Sequence, residues 1–406
     1  MVLKMTDEMD RWFKEGTEIY DQCLYYFRQE FFRARDTKTK PDYDTKAIYN
    51  LVKDTPAWKN SSLDYNVRQQ VFKKVKENWF SFLKAKKAYW KDKSKFRGEP
   101  KLPKYMKSLK TSMLLFDKSR LRNKDMVNNT ISLPKSRFII QLPDYIKIPS
   151  IRCVIAKLYY GKVKVTISYE KEVEPKKTDK GKYLGIDIGV ENIAAMTTDG
   201  QTSKSWIVKG GCVKSINQFY NKRVAELRSI LETVNKRHSS KRIQKTNMRR
   251  AHKLDYEFHC ISKAIIGLCL DNEIGTIVIG HNQGWKQLSN MSKKSNQKFV
   301  QIPFNDLIWK IRYKADEAGI SVIETEESYT SKIDHCVQEE MCHHEKYLGR
   351  RMKRGFFKSS TGKILNADIN GAIGMLRKVN ALRDADLVGL LDRGDVISPK
   401  VLQYKP

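Results

Sequence analysis

Asp187 stands in the stretch YLGIDIG, flanked by Ile186 and Ile188. A carboxylate inside an apolar strand is costly to bury unless a metal ion or a donor compensates it. Two further groups of acids fall at the ends of other expected elements: Glu324, Glu326 and Glu327 in ETEESYT, and Asp368 in NADINGA. Each has a bland explanation. A strand-end Asp can accept backbone N–H bonds, and a first-turn acid such as Asp368 can answer the helix dipole. LGIDIG also suits the first phosphate loop of an actin-like kinase, but no second Gly-rich phosphate loop follows. Three acids carried by separate elements of one sheet point instead to a carboxylate metal site. Two Mg2+ ions about 4 Å apart take oxygen ligands from carboxylates, water and substrate phosphate, and support in-line displacement at phosphorus. No Ser/His or Cys/His arrangement offers a competing nucleophile.

The elements that must position these acids follow from periodicity. YLGIDIG (183–189), NIAAMTTDG (192–200) and KSWIVKGG (204–211) read as three successive strands, and a long basic helical stretch runs from Lys214 to about Asn272. TIVIG (276–280) is a buried-type strand, DLIWKIRYKADEAG (306–319) a helix stopped by Gly319, and ISVIETE (320–326) another strand. NADINGAIGMLRKV (366–379) reads as a closing helix despite its two glycines. Three strands, a helix, a strand, a helix, a strand and a final helix is the element order of an RNase H-like fold.

Upstream the rhythm differs. Residues 1–110 read as helical and basic, with Trp12, Tyr20, Leu24, Phe27 and Phe31 at helical spacing, then Val71, Val75, Trp79 and Leu83. These are expected to form a helical core, with base stacking by one or two aromatics as the sharper alternative. FIIQL (138–142), RCVIAKLYY (152–160) and KVKVTISYE (162–170) read as short strands, the last two joined by a hairpin turn at Gly161. A small β-barrel or meander is expected there, followed by the polar linker KEVEPKKTDKGK. The fold class is therefore multidomain α+β.

Composition narrows the partners. The 406 residues carry 78 Lys+Arg against 46 Asp+Glu, a net charge of +32. That excess calls for a polyanion, of which nucleic acid is the commonest. No apolar run reaches the roughly 18 residues of a membrane span, and the start MVLKMTDEMDRWF lacks a signal or transit pattern. Seven scattered cysteines suit a reducing interior, so a cytoplasmic protein is expected. Residues 214–253 hold twelve Lys/Arg against two acids, and Lys346 to Lys363 holds seven with none. The first run could be a solvated face, but beside an RNase H-like core it is expected to track a nucleic-acid strand, and the second is expected to lie along a phosphate backbone. The basic residues singled out as nucleic-acid contacts are Lys73, Lys76, Lys84, Lys104, Arg237, Lys241, Arg242, Arg249, Arg250, Lys286, Arg350, Arg351 and Arg354.

GIDIGVENIAAM, IGHNQGWKQ, NQKFVQIPFNDLIWKIRYKADEAGISVIETEESYTSK and INGAIGMLRK together resemble the TnpB proteins encoded by insertion sequences. These are compact RuvC-type, RNA-guided DNA endonucleases related to type V CRISPR effectors. The resemblance is strong over residues 180–380 and weaker before 175. It implies a helical guide and target recognition region at 1–107, a wedge-like β-barrel at 108–174 and a RuvC core at 181–327. A zinc-ribbon-like segment for loading the target strand at 328–363, a closing helix at 364–380 and a tail at 381–406 complete the expected order. Guide RNA and target double-stranded DNA are the implied partners, with Mg2+ as cofactor, no membrane partner and a monomer expected. A bacterial or archaeal, nucleoid-associated protein follows.

Two departures from the family pattern bear on the site. The strand equivalent to TIVIG commonly ends in a catalytic Glu followed by Asp-Leu, whereas here Gly280, His281 and Asn282 stand there. One branch of the family places its Glu just before the YTSK motif. This makes Glu327 the expected second acid beside Asp187 and Asp368, with Glu326 the alternative. Many relatives also carry two CxxC pairs after YTSK that bind zinc. This chain offers only His335, Cys336, Cys342, His343 and His344, so either packing holds the ribbon or Cys336, Cys342 and His343 form a makeshift zinc site. Rival readings are a nuclease-inactive guided DNA-binding repressor and a guide-independent transposase of the same fold.

Overall fold

The computed structural model describes residues 1–96, 98–106, 113–125, 129–135, 138–172, 178–199, 204–235, 238–281, 292–337, 339–353, 355–382 and 394–404. The chain forms two compact units, Met1–Lys171 and Glu172–Pro406. No helix among the described residues is long and apolar enough to cross a membrane.

The first unit runs β1 (Val2–Lys4), α1 (Asp7–Asp36), α2 (Thr45–Lys53), α3 (Pro56–Lys59) and α4 (Tyr65–Lys91). It continues through β2 (Met113–Asp117), β3 (Arg122–Asp125), β4 (Thr130–Ser132), β5 (Ile139–Gln141), β6 (Ile151–Tyr159) and β7 (Lys162–Tyr169). The Thr6 side chain caps α1 by accepting from Met9 N, and Asp7, Glu8 and Asp10 fill its first turn. Trp12, Phe13, Phe27 and Trp79 are buried in one core with Leu114, Phe116, Val154 and Val163. Helices and strands on both sides of residue 107 thus share that core. Trp79 and Phe27 are fully buried, so these helical aromatics are core and not stacking platforms. β6 and β7 form the expected hairpin, with Tyr160 and Gly161 both at positive φ. The strands pair as β1-β7-β6-β2 and, separately, β3-β4-β5. β1, a short N-terminal strand on the edge of β7, was not foreseen.

The second unit runs β8 (Asp179–Asp187), β9 (Asn192–Thr198), β10 (Ser205–Lys209), α5 (Gly211–Asn235), α6 (Lys241–Asp271), β11 (Ile274–Gly280) and α7 (Lys293–Val300). Then come α8 (Phe304–Glu317), β12 (Ser321–Thr325), β13 (Arg350–Lys353), β14 (Phe356–Lys358), β15 (Ile364–Asn366), α9 (Ala367–Lys378) and β16 (Lys400–Val401). One sheet is ordered β12-β11-β8-β9-β10-β16. β8, β9 and β10 are antiparallel, while β11 and β12 run parallel to β8.

Side chains alternate across this sheet. Leu184, Ile186, Ile277 and Ile279 pack with Phe258 and Ile261 of α6 and Leu307 and Ile311 of α8. Val278 and Ala195 pack on the opposite face with Ile369, Ile373 and Leu376 of α9. Gly185, Asp187 and Gly280 share that second face by the same alternation.

Three expectations change. The helical stretch from Lys214 is two helices, because Ser240 caps a new one by accepting from Ile243 N. The basic run Lys346–Lys363 contains the antiparallel strands β13 and β14, which pair with each other, and β15 extends them to a three-stranded sheet. The tail contributes β16 to the edge of β10, with Leu402 N donating to Ile207 O at 2.9 Å.

Candidate functional site

Asp187 ends β8 on the face toward α9. Two glycines let that helix approach. A Cβ at Gly185 would lie 2.4 Å from Ala372 O, and one at Gly371 would lie 2.8 Å from Asp187 Oδ2. Gly374 fits closely against Thr330 in the same way. The glycines that weaken the helical pattern of 366–379 are therefore what seats the helix on the sheet.

Asp368 enters on the first turn of α9, whose Asn366 cap accepts from the backbone N of Asp368 and Ile369. Asn192 at the start of β9 donates to Asp368 Oδ2 at 2.7 Å, and Arg351 of β13 donates to Oδ1 at 3.1 Å. Asn192 escaped the sequence reading, and its only signal is an amide at the mouth of the strand beside Asp187.

Glu327 lies two residues beyond β12, in a turn where Thr330 Oγ1 donates to its carbonyl at 2.8 Å. A Cβ at Gly280 would stand 2.7 Å from Glu327 Cγ. The carboxylate-bearing stem of Glu327 thus occupies the space at the end of β11 that the glycine vacates. Glu326 is exposed and accepts from Ser328, and Glu324 pairs with Arg312 at 2.9 Å and with His281 at 3.4 Å.

Electrostatics tie three of these acids together. Burial first and then the neighbouring Asp368 carry the Asp187 carboxyl up to about 7 against the opposing charge of Arg351. Burial first and then Asp187 carry Glu327 up to about 8 against the opposing charge of Lys378. Asp187 is the common electrostatic partner of Asp368 and Glu327. The acids meet in pairs around it: among the described residues no three His, Cys, Asp or Glu side chains form a group that could enclose one metal ion.

A cleft of about 660 Å³ opens beside Asp368, lined by Asn192, Lys209, Lys214, Arg351 and the backbone of Gly189 and Gly355. In the first unit a cavity of about 680 Å³ is lined by Lys73, Lys74, Lys104, Lys157, Tyr105 and Gln70. Lys73 and Lys104 were among the expected nucleic-acid contacts. Lys84, Lys241, Arg242, Arg249 and Arg350 are exposed, and Lys76 Nζ reaches Thr45 Oγ1 at 3.4 Å. Arg250 needs correction as a contact. Its Nε donates to Asn217 Oδ1 at 2.7 Å, its Nη2 donates to Gln301 O at 2.6 Å, and it lies over the Tyr220 ring, so it braces α5, α6 and the end of α7. Arg237, Lys286 and Arg354 lie outside the described residues.

The expected zinc ligands do not gather either. Cys336 sits with Asp334 and Ser359, Cys342 Sγ lies 3.4 Å from His344 Nε2, and the His343 ring lies 6.3 Å from that of Tyr329. Burial holds the Cys336 thiol above its ordinary range, against the thiolate that zinc requires.

Comparison with known proteins agrees with this architecture. Residues 166–286 match the OrfB_IS605 family, described as a probable transposase, and residues 304–375 match the Cas12f1-like TNB domain. The chain is 22% identical over 402 residues to the TnpB-like protein ORF457 of Acidianus two-tailed virus, covering 89% of this chain and 81% of that one. It is 28% identical over 217 residues to the CRISPR-associated endodeoxyribonuclease Cas12f1 of Sulfoacidibacillus thermotolerans. This chain is similar to both TnpB-like and Cas12f1 proteins. The Cas12f1 alignment spans 51% of this chain and 48% of that relative. A solved Cas12f1–sgRNA–target DNA complex contains a chain of the same overall fold, with a TM-score of 0.54 at 13% identity over 91% of this chain and 82% of that one. The TNB match ends within α9, so it includes both Glu327 and Asp368, while Asp187 falls inside the OrfB_IS605 match.

Proposed function

We propose that this protein is an RNA-guided, Mg2+-dependent DNA endonuclease that cuts both strands with one RuvC site. One observation carries this reading: Asp187 of β8 is coupled electrostatically both to Asp368 of α9 and to Glu327 of the turn after β12, whose stem lies against Gly280. The strand order, an antiparallel β8-β9-β10 meander with β11 and β12 parallel to β8, supports an RNase H-like core. The donor set is all carboxylate, which suits a hard cation such as Mg2+, and repulsion among the acids is what such charge would relieve.

Bound there, divalent cations would supply a water nucleophile at neutral pH and stabilise the leaving oxygen. The chain's own residues perform the rest. Asp187 and Glu327 hold protons more tightly than ordinary carboxylates and release them when positive charge arrives. Asn192 fixes the orientation of Asp368. Lys209 and Arg351 line the cleft where a phosphate backbone would lie, and β9 and α9 form its rigid floor.

By analogy with the relatives, the first unit would hold guide RNA and read a short duplex motif, with Lys73 and Lys104 in its cavity. Base pairing would supply most of the specificity. Residues 328–363 would load the target strand toward Asp368. The description of the matched family as a probable transposase keeps one rival, strand joining without a guide.

Protein purified with its own RNA, incubated with a plasmid matching that RNA beside a randomised flank, tests this. Cutting that requires RNA, Mg2+ and Asp187 supports the reading, and surviving flanks reveal the motif. RNA-dependent binding without cutting would identify an inactive guided binder, and strand joining without RNA a transposase.

A further inference from the structure

Relatives that use zinc after the YTSK motif close that segment with thiolates. Here two buried carboxylates occupy its centre. Asp334 is fully buried and accepts from Cys336 N at 3.1 Å, Ser359 Oγ at 2.8 Å, Ser360 N at 2.7 Å and Ser360 Oγ at 2.9 Å. Glu339, nearly as buried, accepts from Asp334 N at 2.7 Å and Leu348 N at 2.9 Å. Between them, the two carboxylates join the turn at 334–339, the approach to β13 and the turn after β14.

The knot is also tied to the helix that carries Asp368. Asn370 of α9 donates to Ile333 O at 3.1 Å, and Arg377 donates to Glu339 O at 3.2 Å. Arg377 Nη1 lies 2.8 Å from His335 Nδ1, and a guanidinium only donates, so Nδ1 accepts and Nε2–H donates to Thr330 O at 2.9 Å. His335 is therefore a neutral strut, not a free ligand. The chain of support closes on itself: α9 holds the 333–339 turn, Asp334 holds the end of β14, and β14 holds β13 through the Arg351–Phe357 pairing. Arg351 then returns to Asp368 on α9.

We propose that residues 333–366 form a zinc-independent ribbon knotted by Asp334 and Glu339, and that Asp334 is the positioning residue that sets Arg351 on Asp368. The knot is independent of the endonuclease reading, whereas the consequence for cleavage rests on it. A buried carboxylate that accepts four hydrogen bonds rigidifies the turns it joins, and removing its charge leaves buried donors unsatisfied.

The first arm of the test needs no activity. Zinc is measured by mass spectrometry in the full-length protein, and hydrogen exchange is followed over 333–366 with and without 1,10-phenanthroline. Zinc well below one equivalent, protection unmoved by the chelator, and protection unmoved in Cys336→Ser and Cys342→Ser are expected. Asp334→Asn raises exchange at Cys336 and Ser360, and Ser360→Ala does so more mildly while keeping the carboxylate. Stoichiometric zinc whose removal unprotects the segment would overturn the knot.

The second arm is a double-mutant cycle on plasmid cleavage. Asp334→Asn is expected to slow cutting roughly tenfold in the wild type but less than about twofold in an Arg351→Ala background. Should Ser360→Ala and Asp334→Asn slow both backgrounds equally, Asp334 does not act through Arg351. If no variant cuts at all, the same cycle is read from the Mg2+-induced rise in melting temperature. A zinc-free, protected ribbon in an inactive protein then separates failure of the endonuclease reading from failure of the knot.

Discussion

The stem of Glu327 fills the space that Gly280 leaves open at the end of β11. A side chain on Gly280 would collide with Met375 as well as Glu327, with Cβ distances of 2.6 and 2.7 Å. Restoring Glu at 280 alone therefore overfills the site. Glu327→Ala should lower cleavage by at least about a hundredfold, whereas Glu326→Ala, on an exposed side chain, should leave it within about twofold. Gly280→Glu combined with Glu327→Ala should cut faster than either single variant, and equal inactivity of all three would argue against a shared site. The raised acids also predict a pH signature. Asp187 and Glu327 bind protons more tightly folded than unfolded, so their share of stability is full below about pH 4 and is lost as pH rises through about 7 and 8. In EDTA, Asp187→Asn should raise stability at pH 8 by on the order of 2 kcal/mol, by a smaller amount at pH 5, and leave it nearly unchanged at about pH 4. Melting curves of both proteins across that range, with and without Mg2+, check the sign.

At the level of elements, α9 is the piece on which the site depends. Gly371 admits Asp187 and Gly374 admits Thr330, so Ala at either position must push a sheet or turn residue away. Gly371→Ala should cost about 1–3 kcal/mol of stability and on the order of a hundredfold in cleavage, because it displaces Asp187 itself. Gly374→Ala should cost similar stability with a smaller loss of rate, and melting curves beside single-turnover rates would separate the two. β8, β11 and α9 were legible in sequence because their periods are regular and Asp187 violates one of them. The break at Ser240 carried a readable cap that the basic run obscured. Strands β13, β14 and β15, of four, three and three residues, left no period to read. Asp334 and Glu339 drew no reading from the sequence, since only the fold shows that backbone amides and serines enclose them. The sequence reading therefore left open packing or a makeshift zinc site, and the fold shows two buried carboxylates bonded across these turns.

At the scale of the whole molecule, a net charge of +32 is what the proposed function would use to hold nucleic acid, but the basic residues divide into two kinds. Exposed ones, such as Lys73 and Lys209, can neutralise phosphates, and each phosphate contact releases counterions. Arg250 is spent inside the fold on Asn217 and Gln301. Sequence alone placed Arg250 among the nucleic-acid contacts because a helical run of lysines and arginines gives no sign of which guanidinium turns inward. Binding of guide RNA or target should weaken steeply between about 50 and 200 mM salt, by on the order of a thousandfold. Lys73→Ala and Lys209→Ala should each flatten the log–log slope by about one while leaving the melting temperature almost unchanged. Arg250→Ala should do the reverse, lowering the melting temperature by exposing two orphaned acceptors while preserving the slope. A salt titration of binding run beside melting curves on these three variants distinguishes the two kinds. If Arg250→Ala flattened the slope as the lysines do, the brace between α5, α6 and α7 would open when nucleic acid binds.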